Sequence, residues 1–335
     1  MRCFEVAGPT GIDGLVLVDK PVPQPSAGEV LVRLTAVSLN YRDLLTVKGG
    51  YGSRQKFPLV PVSDGAGIVE AIGPGVHNFK PGDRVIAGFF QDWISGEPTE
   101  AKLRSDLGCA LDGVLCEYRI FPVRSLVRTP EHLTDVEASA FPCAGVTAWS
   151  AVVKLGRVKP GQTVLTQGSG GVSLFALQLA KLCGARVIAT SSSDTKIERL
   201  KSLGADLTLN YRATPDWGKR ARQMGGVDLV VEVGGVGTLN ESIRATKIGG
   251  TIAFIGVLAG APTSDLRIPL LVVQQQRLQG VTVGSVDDLQ ALADASAVNR
   301  LQPVIDKVFP FEQAKEAFSY LASGIQFGKV AISID

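Results

Sequence analysis

A chain of 335 residues is longer than one compact core usually holds, so two domains are expected. With 45% apolar and 20% charged residues and a net charge of +2, the composition is that of an ordinary globular protein. The absence of a basic block or stripe argues against nucleic-acid and membrane surfaces as partners.

The stretch to about Val123 reads as β-rich and broken by turns. Val30–Val37 alternates and is rich in β-branched residues. Gly65–Ile72 and Arg84–Ala87 are short strands, the second introduced by the turn Pro81-Gly82-Asp83. Gln91–Asp112 is polar and irregular and reads as a surface excursion; loops of that length are often functional. From about Arg124 the rhythm becomes strand, helix, strand. Thr163–Thr166 and Arg186–Thr190 are strands, each followed by a helix, Val172–Leu182 and Asp194–Leu203. Leu207–Leu209, Leu229–Glu232, Thr251–Ile255 and Leu278–Val283 continue the series. Short apolar runs alternating with helices imply a parallel sheet covered on both faces. The tail from about Gln302 holds a strand, the helix Phe311–Ala322 and the strand Lys329–Ile334, and its return to the first domain is left open by the sequence.

No apolar run reaches the roughly 20 residues a bilayer demands. Met1 to Asp19 lacks the order of a signal peptide, so a cytoplasmic location with reduced thiols is the expectation. The five cysteines are scattered and contain no CxxC pair, which argues against a disulfide framework and a zinc ribbon. The two histidines, His77 and His132, sit in loop-like, solvated settings, and no metal site is expected.

Thr163–Gln167 leads into Gly168-Ser169-Gly170-Gly171-Val172-Ser173 and then a helix. This is the logic of a dinucleotide site. A tight Gly turn follows a strand, Gly170 admits a pyrophosphate, and the helix offers free N–H groups and its positive dipole end. Ser173 replaces the third glycine of the pattern and is small enough for close packing. Val233, Ile255 and Val257, at the ends of later strands, complete the candidate cofactor set. An enzyme for NADH usually places Asp or Glu at the end of the second strand. Here Thr190-Ser191-Ser192-Ser193 stand there, their hydroxyls suited to a 2′-phosphate, with Lys196 able to pair with its charge. Asp194 is expected to cap the next helix. The cofactor expected is NADPH.

Several further stretches fall in one order along the chain. They are Gly28-Glu29-Val30-Leu31-Val32, Asn40-Tyr41-Arg42-Asp43, Pro58-Leu59-Val60-Pro61 and Asp64-Gly65-Ala66-Gly67-Ile68-Val69. Pro81-Gly82-Asp83-Arg84-Val85, Cys143-Ala144-Gly145-Val146-Thr147-Ala148 and Leu203-Gly204-Ala205-Asp206 follow. With these the chain resembles the medium-chain dehydrogenase/reductase superfamily over nearly its whole length. The resemblance implies an α/β fold: a Rossmann doubly wound parallel sheet plus a GroES-like β-rich catalytic domain, with the cofactor in the cleft between them. The division expected is 1–123, completed by 299–335, for the catalytic domain and 124–298 for the Rossmann domain.

Zinc alcohol dehydrogenases carry a catalytic Cys where this chain has Asn40 and a His-Glu pair where it has Ser63-Asp64. Only Cys143 matches a zinc-ligand position, and it is expected to be a buried small side chain. The chain is therefore similar to the zinc-independent branch, that of quinone oxidoreductases and enoyl reductases. The resemblance places Asn40 and Asp43 beside the nicotinamide and Tyr51 where enoyl reductases carry a catalytic Tyr. It assigns Lys196 and Tyr211 to the 2′-phosphate and Thr147 to the neighbourhood of the nicotinamide phosphate.

Without a metal, charge growing on the substrate oxygen must meet a hydrogen-bond donor, which favours quinones and enones over simple ketones. Tyr51 is the candidate proton donor or else a turn aromatic. Asn40 orients substrate or nicotinamide, or only caps a turn. Asp64 is a proton relay, or a structural carboxylate bound to Arg42 or to backbone. The reading is an NADPH-dependent reductase of a conjugated small-molecule carbonyl. The alternatives are a zinc-free NADP-dependent aldehyde or alcohol oxidoreductase and a non-catalytic NADPH-binding protein. A homodimer through the edge strand Leu278–Val283 is expected, as in relatives.

Overall fold

The alternating stretch around Val30–Val37 forms the strand Glu29–Leu39, the spine of the first sheet. In this computed structural model, which describes residues 1–256 and 266–334, the chain forms two compact units. One comprises Met1–Val146 with Gly284–Asp335, the other Thr147–Val283.

In the first unit, Glu29–Leu39 pairs antiparallel with Asp64–Ile72 along one side. On the other side its first half takes Tyr118–Pro122 and its second half takes Lys329–Ser333. The tail thus returns to this unit. Ile305–Pro310 pairs parallel with Lys329–Ser333, and Arg84–Ala87 and Leu126–Arg128 extend the sheet beyond Asp64–Ile72. The alternation places Val30, Val32, Leu34, Phe121, Val330 and Ile332 in one buried cluster. Burial of each such side chain contributes roughly 1.5–3 kcal/mol. The unit runs further than 1–123 and resumes before 299, for two reasons. Leu126–Arg128 is a strand of this sheet, and the helix Val286–Asn299 is held at its start by Val286 N–H donating to Trp93 O at 2.9 Å.

The segment Gln91–Asp112 is not a surface excursion throughout. Trp93, Leu107 and Cys109 are buried, and the Trp93 ring lies 5.6 Å from that of Phe90. Its apolar residues turn inward, and the short helix Glu100–Leu103 remains at the surface, capped by Thr99. His132 is half-buried rather than solvated, its Nε2 3.1 Å from Leu301 O.

The second unit is a six-stranded sheet in which every pairing is parallel. The strands lie in the order Leu207–Asn210, Arg186–Ser191, Thr163–Gln167, Val227–Glu232, Thr246–Phe254, Arg277–Gly280. This is the Rossmann order, in which the chain reverses direction across the sheet between the first and fourth strands. The helix Gly171–Leu182 buries Leu174, Phe175, Leu177 and Leu179. The last strand stops at Gly280, short of Val283. Its four residues are exposed, whereas Val281 and Val283 are buried. Among the described residues no helix is long and apolar enough to cross a membrane.

Candidate active site

The strand Thr163–Gln167 delivers the chain to Gly168, whose φ of 72° lies in the left-handed region that favours glycine. Gly168 N–H donates to Thr190 O at 2.8 Å, tying the turn to the neighbouring strand. Gly170 is the N-cap of the helix Gly171–Leu182, and no side chain caps that helix. A Cβ placed on Gly168 or Gly170 would meet nothing within 4 Å. An open glycine turn at an uncapped helix N-terminus, with Ser169, Gly171 and Val172 alongside, fits a pyrophosphate. Ser173 does more than stay small: its Oγ donates to Gln167 O at 2.6 Å, joining helix to strand.

Ser191 closes the strand Arg186–Ser191 and is buried, its Oγ accepting from Ser193 N at 3.4 Å. Ser193, not Asp194, caps the helix Asp194–Ser202, accepting from Lys196 N at 3.4 Å. The extended backbone of Ser193 lets its short hydroxyl reach that N–H, while Asp194 is already helical and accepts from Asn210 Nδ2 at 2.7 Å. Tyr211 N–H donates to Ser191 O at 3.0 Å, which brings Ser191, Lys196 and Tyr211 to one end of the sheet. Thr147 is buried in the helix Val146–Trp149.

At the switch point the last residues of the two central strands meet. Glu232, wholly buried, accepts from Gln167 Nε2 at 2.7 Å, Thr238 Oγ1 at 2.5 Å, Gly234 N at 2.8 Å and Gly235 N at 2.9 Å, and also from Ser242 Oγ. Gln167 Oε1 accepts from Val233 N at 3.2 Å and Gly234 N at 3.3 Å. This network fixes the loop that carries Val233. Ile255 N–H donates to Glu232 O at 2.9 Å, and Val257 lies outside the described residues.

In the other unit, Asn40 precedes the helix Tyr41–Val47 and Asp43 accepts from Asn40 N at 2.7 Å. Asp43 is wholly buried, and burial pushes its carboxyl up to about 6 against the pull of the Arg42 guanidinium. Arg42 donates to Asp106 Oδ2 at 2.6 Å and Leu107 O at 2.8 Å, and its guanidinium lies 4.6 Å from the Phe89 ring centroid and 5.6 Å from that of Tyr51. Burial pushes the Tyr51 phenol up against the pull of that guanidinium, so the phenol keeps its proton at neutral pH.

Asp64 does not pair with Arg42. Its oxygens accept from Ser63 Oγ at 2.7 Å and Cys143 N at 3.1 Å, and its cation is Lys329, 3.8 Å away. Lys329 is 3% exposed and donates to Leu39 O at 2.7 Å and Asn40 Oδ1 at 2.6 Å. Asn40 Nδ2 is buried with no hydrogen-bond partner. The fold thus gathers Asn40, Asp43 and Asp64, and joins Tyr51 to them through Arg42.

Two family profiles match the chain, an alcohol dehydrogenase GroES-like domain over residues 26–131 and a zinc-binding dehydrogenase over residues 171–297. A zinc-type alcohol dehydrogenase-like protein of Schizosaccharomyces pombe is 43% identical over 335 residues, covering 97% of each chain. The chain belongs to the medium-chain dehydrogenase/reductase superfamily. It is also similar to a chloroplastic quinone-oxidoreductase of Triphysaria versicolor, 31% identical over 333 residues, covering 96% of this chain and 94% of that one. A solved structure, a putative alcohol dehydrogenase from Sinorhizobium meliloti 1021, is 40% identical with a TM-score of 0.92 and covers 99% of each chain. The protein is accordingly an oxidoreductase of this superfamily, whose cofactor is a pyridine nucleotide.

Several members of the superfamily hold zinc, and the residues at that place here do not fit it. Asn40 and Ser63 offer neutral oxygens. Cys143 offers one soft ligand and Asp64 one carboxylate, short of the three protein ligands a catalytic zinc takes. The ammonium of Lys329 occupies the same cluster and would repel a dication. Among the described residues no group of three or more His, Cys, Asp or Glu is arranged to hold a metal.

Lys329, Gln167 and Glu232 were not singled out from the sequence. The available signal for Lys329 is a lone charge in the otherwise apolar or neutral strand Lys-Val-Ala-Ile-Ser.

Proposed function

We propose that this protein is a zinc-independent, NADPH-dependent reductase of conjugated carbonyl compounds, quinones or enones. The observation that carries the reading is that each candidate donor has a donor-only cation behind it. Lys329 donates to the Asn40 oxygen, and the Arg42 guanidinium lies 5.6 Å from the Tyr51 ring centroid. Ammonium and guanidinium groups accept nothing, so the Asn40 N–H and the Tyr51 O–H are left for an acceptor outside the protein.

When bound, the dinucleotide supplies a hydride. Asn40 Nδ2 holds the substrate oxygen as negative charge grows there, and Tyr51 gives that oxygen a proton. A delocalised enolate or hydroquinone anion needs less stabilisation than a localised alkoxide, so two hydrogen-bond donors without a metal favour conjugated acceptors. Asp64 anchors Lys329 and the Cys143 backbone and takes no part in proton transfer. Preference for NADPH is supported by Ser191 where an acid would hold a ribose hydroxyl, and by Lys196 and Tyr211 beside it. Among the described residues the exposed strand Arg277–Gly280 ends its sheet, supporting a homodimer paired across it.

Steady-state oxidation of NADPH and NADH with a quinone, an enone and an aldehyde tests the reading on protein whose metal content is measured. Turnover of the quinone or enone with NADPH, at zinc well below one per chain, is expected. Tyr51→Phe is expected to lower kcat by about tenfold to a hundredfold. Activity that tracks stoichiometric zinc, or binding of NADPH with no acceptor reduced, defeats it.

A further inference from the structure

We propose that Lys329 is a positioning residue, whose ammonium turns the Asn40 amide so that Nδ2 rather than Oδ1 faces the substrate oxygen. The inference rests on the reading of Asn40 as the substrate's hydrogen-bond donor.

A carboxamide is nearly symmetric in shape, so sterics alone leave its oxygen and nitrogen interchangeable. Lys329 removes the ambiguity. Its ammonium has three donors and no acceptor. One donor goes to Leu39 O at 2.7 Å and one to Asn40 Oδ1 at 2.6 Å. The remaining charge is balanced by Asp64 Oδ2 at 3.8 Å, a carboxylate already held by Ser63 Oγ and Cys143 N. A reversed amide would set N–H groups against N–H groups in a site where Lys329 is 3% exposed and water cannot relieve the clash.

The orientation comes at a cost. Asn40 Nδ2 is buried without a hydrogen-bond partner, and a buried unpaired donor lowers stability. Ligands that bring an acceptor recover that cost. The Lys329–Oδ1 bond also draws electron density through the amide, which makes Nδ2–H a stronger donor. The backbone fixes the geometry. Val330 pairs in register with Leu39, which sets Lys329 beside Asn40.

The test compares Lys329→Met, Lys329→Arg, Lys329→Gln and Asn40→Asp with the wild type. The first readout needs no substrate. In ¹⁵N-labelled protein the Asn40 side-chain NH₂ pair, identified by its loss in Asn40→Asp, is expected to keep its position in Lys329→Arg and to move in Lys329→Met. If Lys329→Met does not fold, Lys329→Gln replaces it; its carboxamide both donates and accepts and so frees Asn40 to flip. In turnover, Lys329→Met and Asn40→Asp are expected to lose about a hundredfold or more in kcat, the effect of losing one oxyanion donor, with NADPH affinity unchanged. Lys329→Arg, which keeps a donor-only cation, is expected to recover kcat to within about tenfold of wild type. An Asn40 resonance that stays put without the ammonium overturns the proposal, as does wild-type kcat in Asn40→Asp. Wild-type protein that binds NADPH and reduces no acceptor defeats the functional reading alone, and the resonance then decides the role of Lys329.

Discussion

In the unit Thr147–Val283 the buried carboxylate of Glu232 receives five donors, from Gln167, Thr238, Ser242 and the N–H groups of Gly234 and Gly235. In the other unit the cluster of Asn40, Asp43, Asp64 and Lys329 leaves Asn40 Nδ2 and Asp43 Oδ1 without a hydrogen-bond partner. Both clusters are polar, interior and near candidate ligand-binding residues, yet only the second retains unused hydrogen-bonding capacity. A saturated network rigidifies a loop, whereas an unsaturated one holds groups ready for a ligand at a cost in stability.

Removing the acceptor at the saturated cluster is the most damaging change expected. Glu232→Ala takes the shared acceptor from five donors and leaves Gly235 N–H and the Ser242 hydroxyl without theirs, which should cost about 4 kcal/mol or more, read as a lower urea midpoint. Glu232→Gln, which keeps one oxygen, should lose less than half of that. A Glu232→Ala protein within about 1 kcal/mol of wild type would erase the contrast.

The next effect lies in the unsaturated cluster and depends on pH. The Asp43 carboxyl titrates near 6 when folded, above the 3.8 of an unperturbed Asp, because burial disfavours its charged form. Its protonated form therefore stabilises the fold fully below about pH 4, and that contribution is lost as pH rises through 6. The change is about 3 kcal/mol at most. Denaturation from pH 4.5 to 7.5 should show this slope in the wild type and a flatter one in Asp43→Asn, whose amide does not titrate.

The smallest effects separate folding from binding at the glycine turn. Gly170→Val places a side chain where no atom lies within 4 Å, at an ordinary φ of −79°. Stability should hold within about 0.5 kcal/mol while dinucleotide affinity, measured by calorimetry, falls about tenfold or more. Gly168→Ala meets equally open space at φ 72°, so it should cost about 1 kcal/mol of stability for backbone reasons alone.

The residues that were legible in the sequence share a property: their partners are close along the chain. The turn Gly168–Ser173 sits between a strand and a helix it adjoins, and the alternation of Val30–Val37 declares its own buried face. The tail helix and strand could be read locally, but their return to the first sheet depends on pairing with Glu29–Leu39. The same distance hid the chemistry. Lys329 and Asn40 are 289 residues apart, and Gln167 and Glu232 are 65 apart. Of the two partners the sequence offers Asp64, Arg42 and backbone, it takes backbone, the N–H of Cys143 79 residues away. Arg42 instead spends its donors on Asp106 and Leu107, in a segment whose polar composition concealed the buried Trp93 and Leu107. Ser193 and Asp194 are both good caps, and only the backbone angles distinguish them.

The order of synthesis gives the returning strand a further meaning. The unit Thr147–Val283 is one uninterrupted stretch, so all its pairings are available as soon as Val283 has been made. The other unit is split in sequence, and residues Ala36–Leu39 wait with an unpaired edge until Lys329–Ser333 emerges. A nascent chain thus has its nucleotide turn ready while the ammonium beside Asn40 is still missing. Half of the machinery matures early, and the other half waits for the strand Lys329–Ser333.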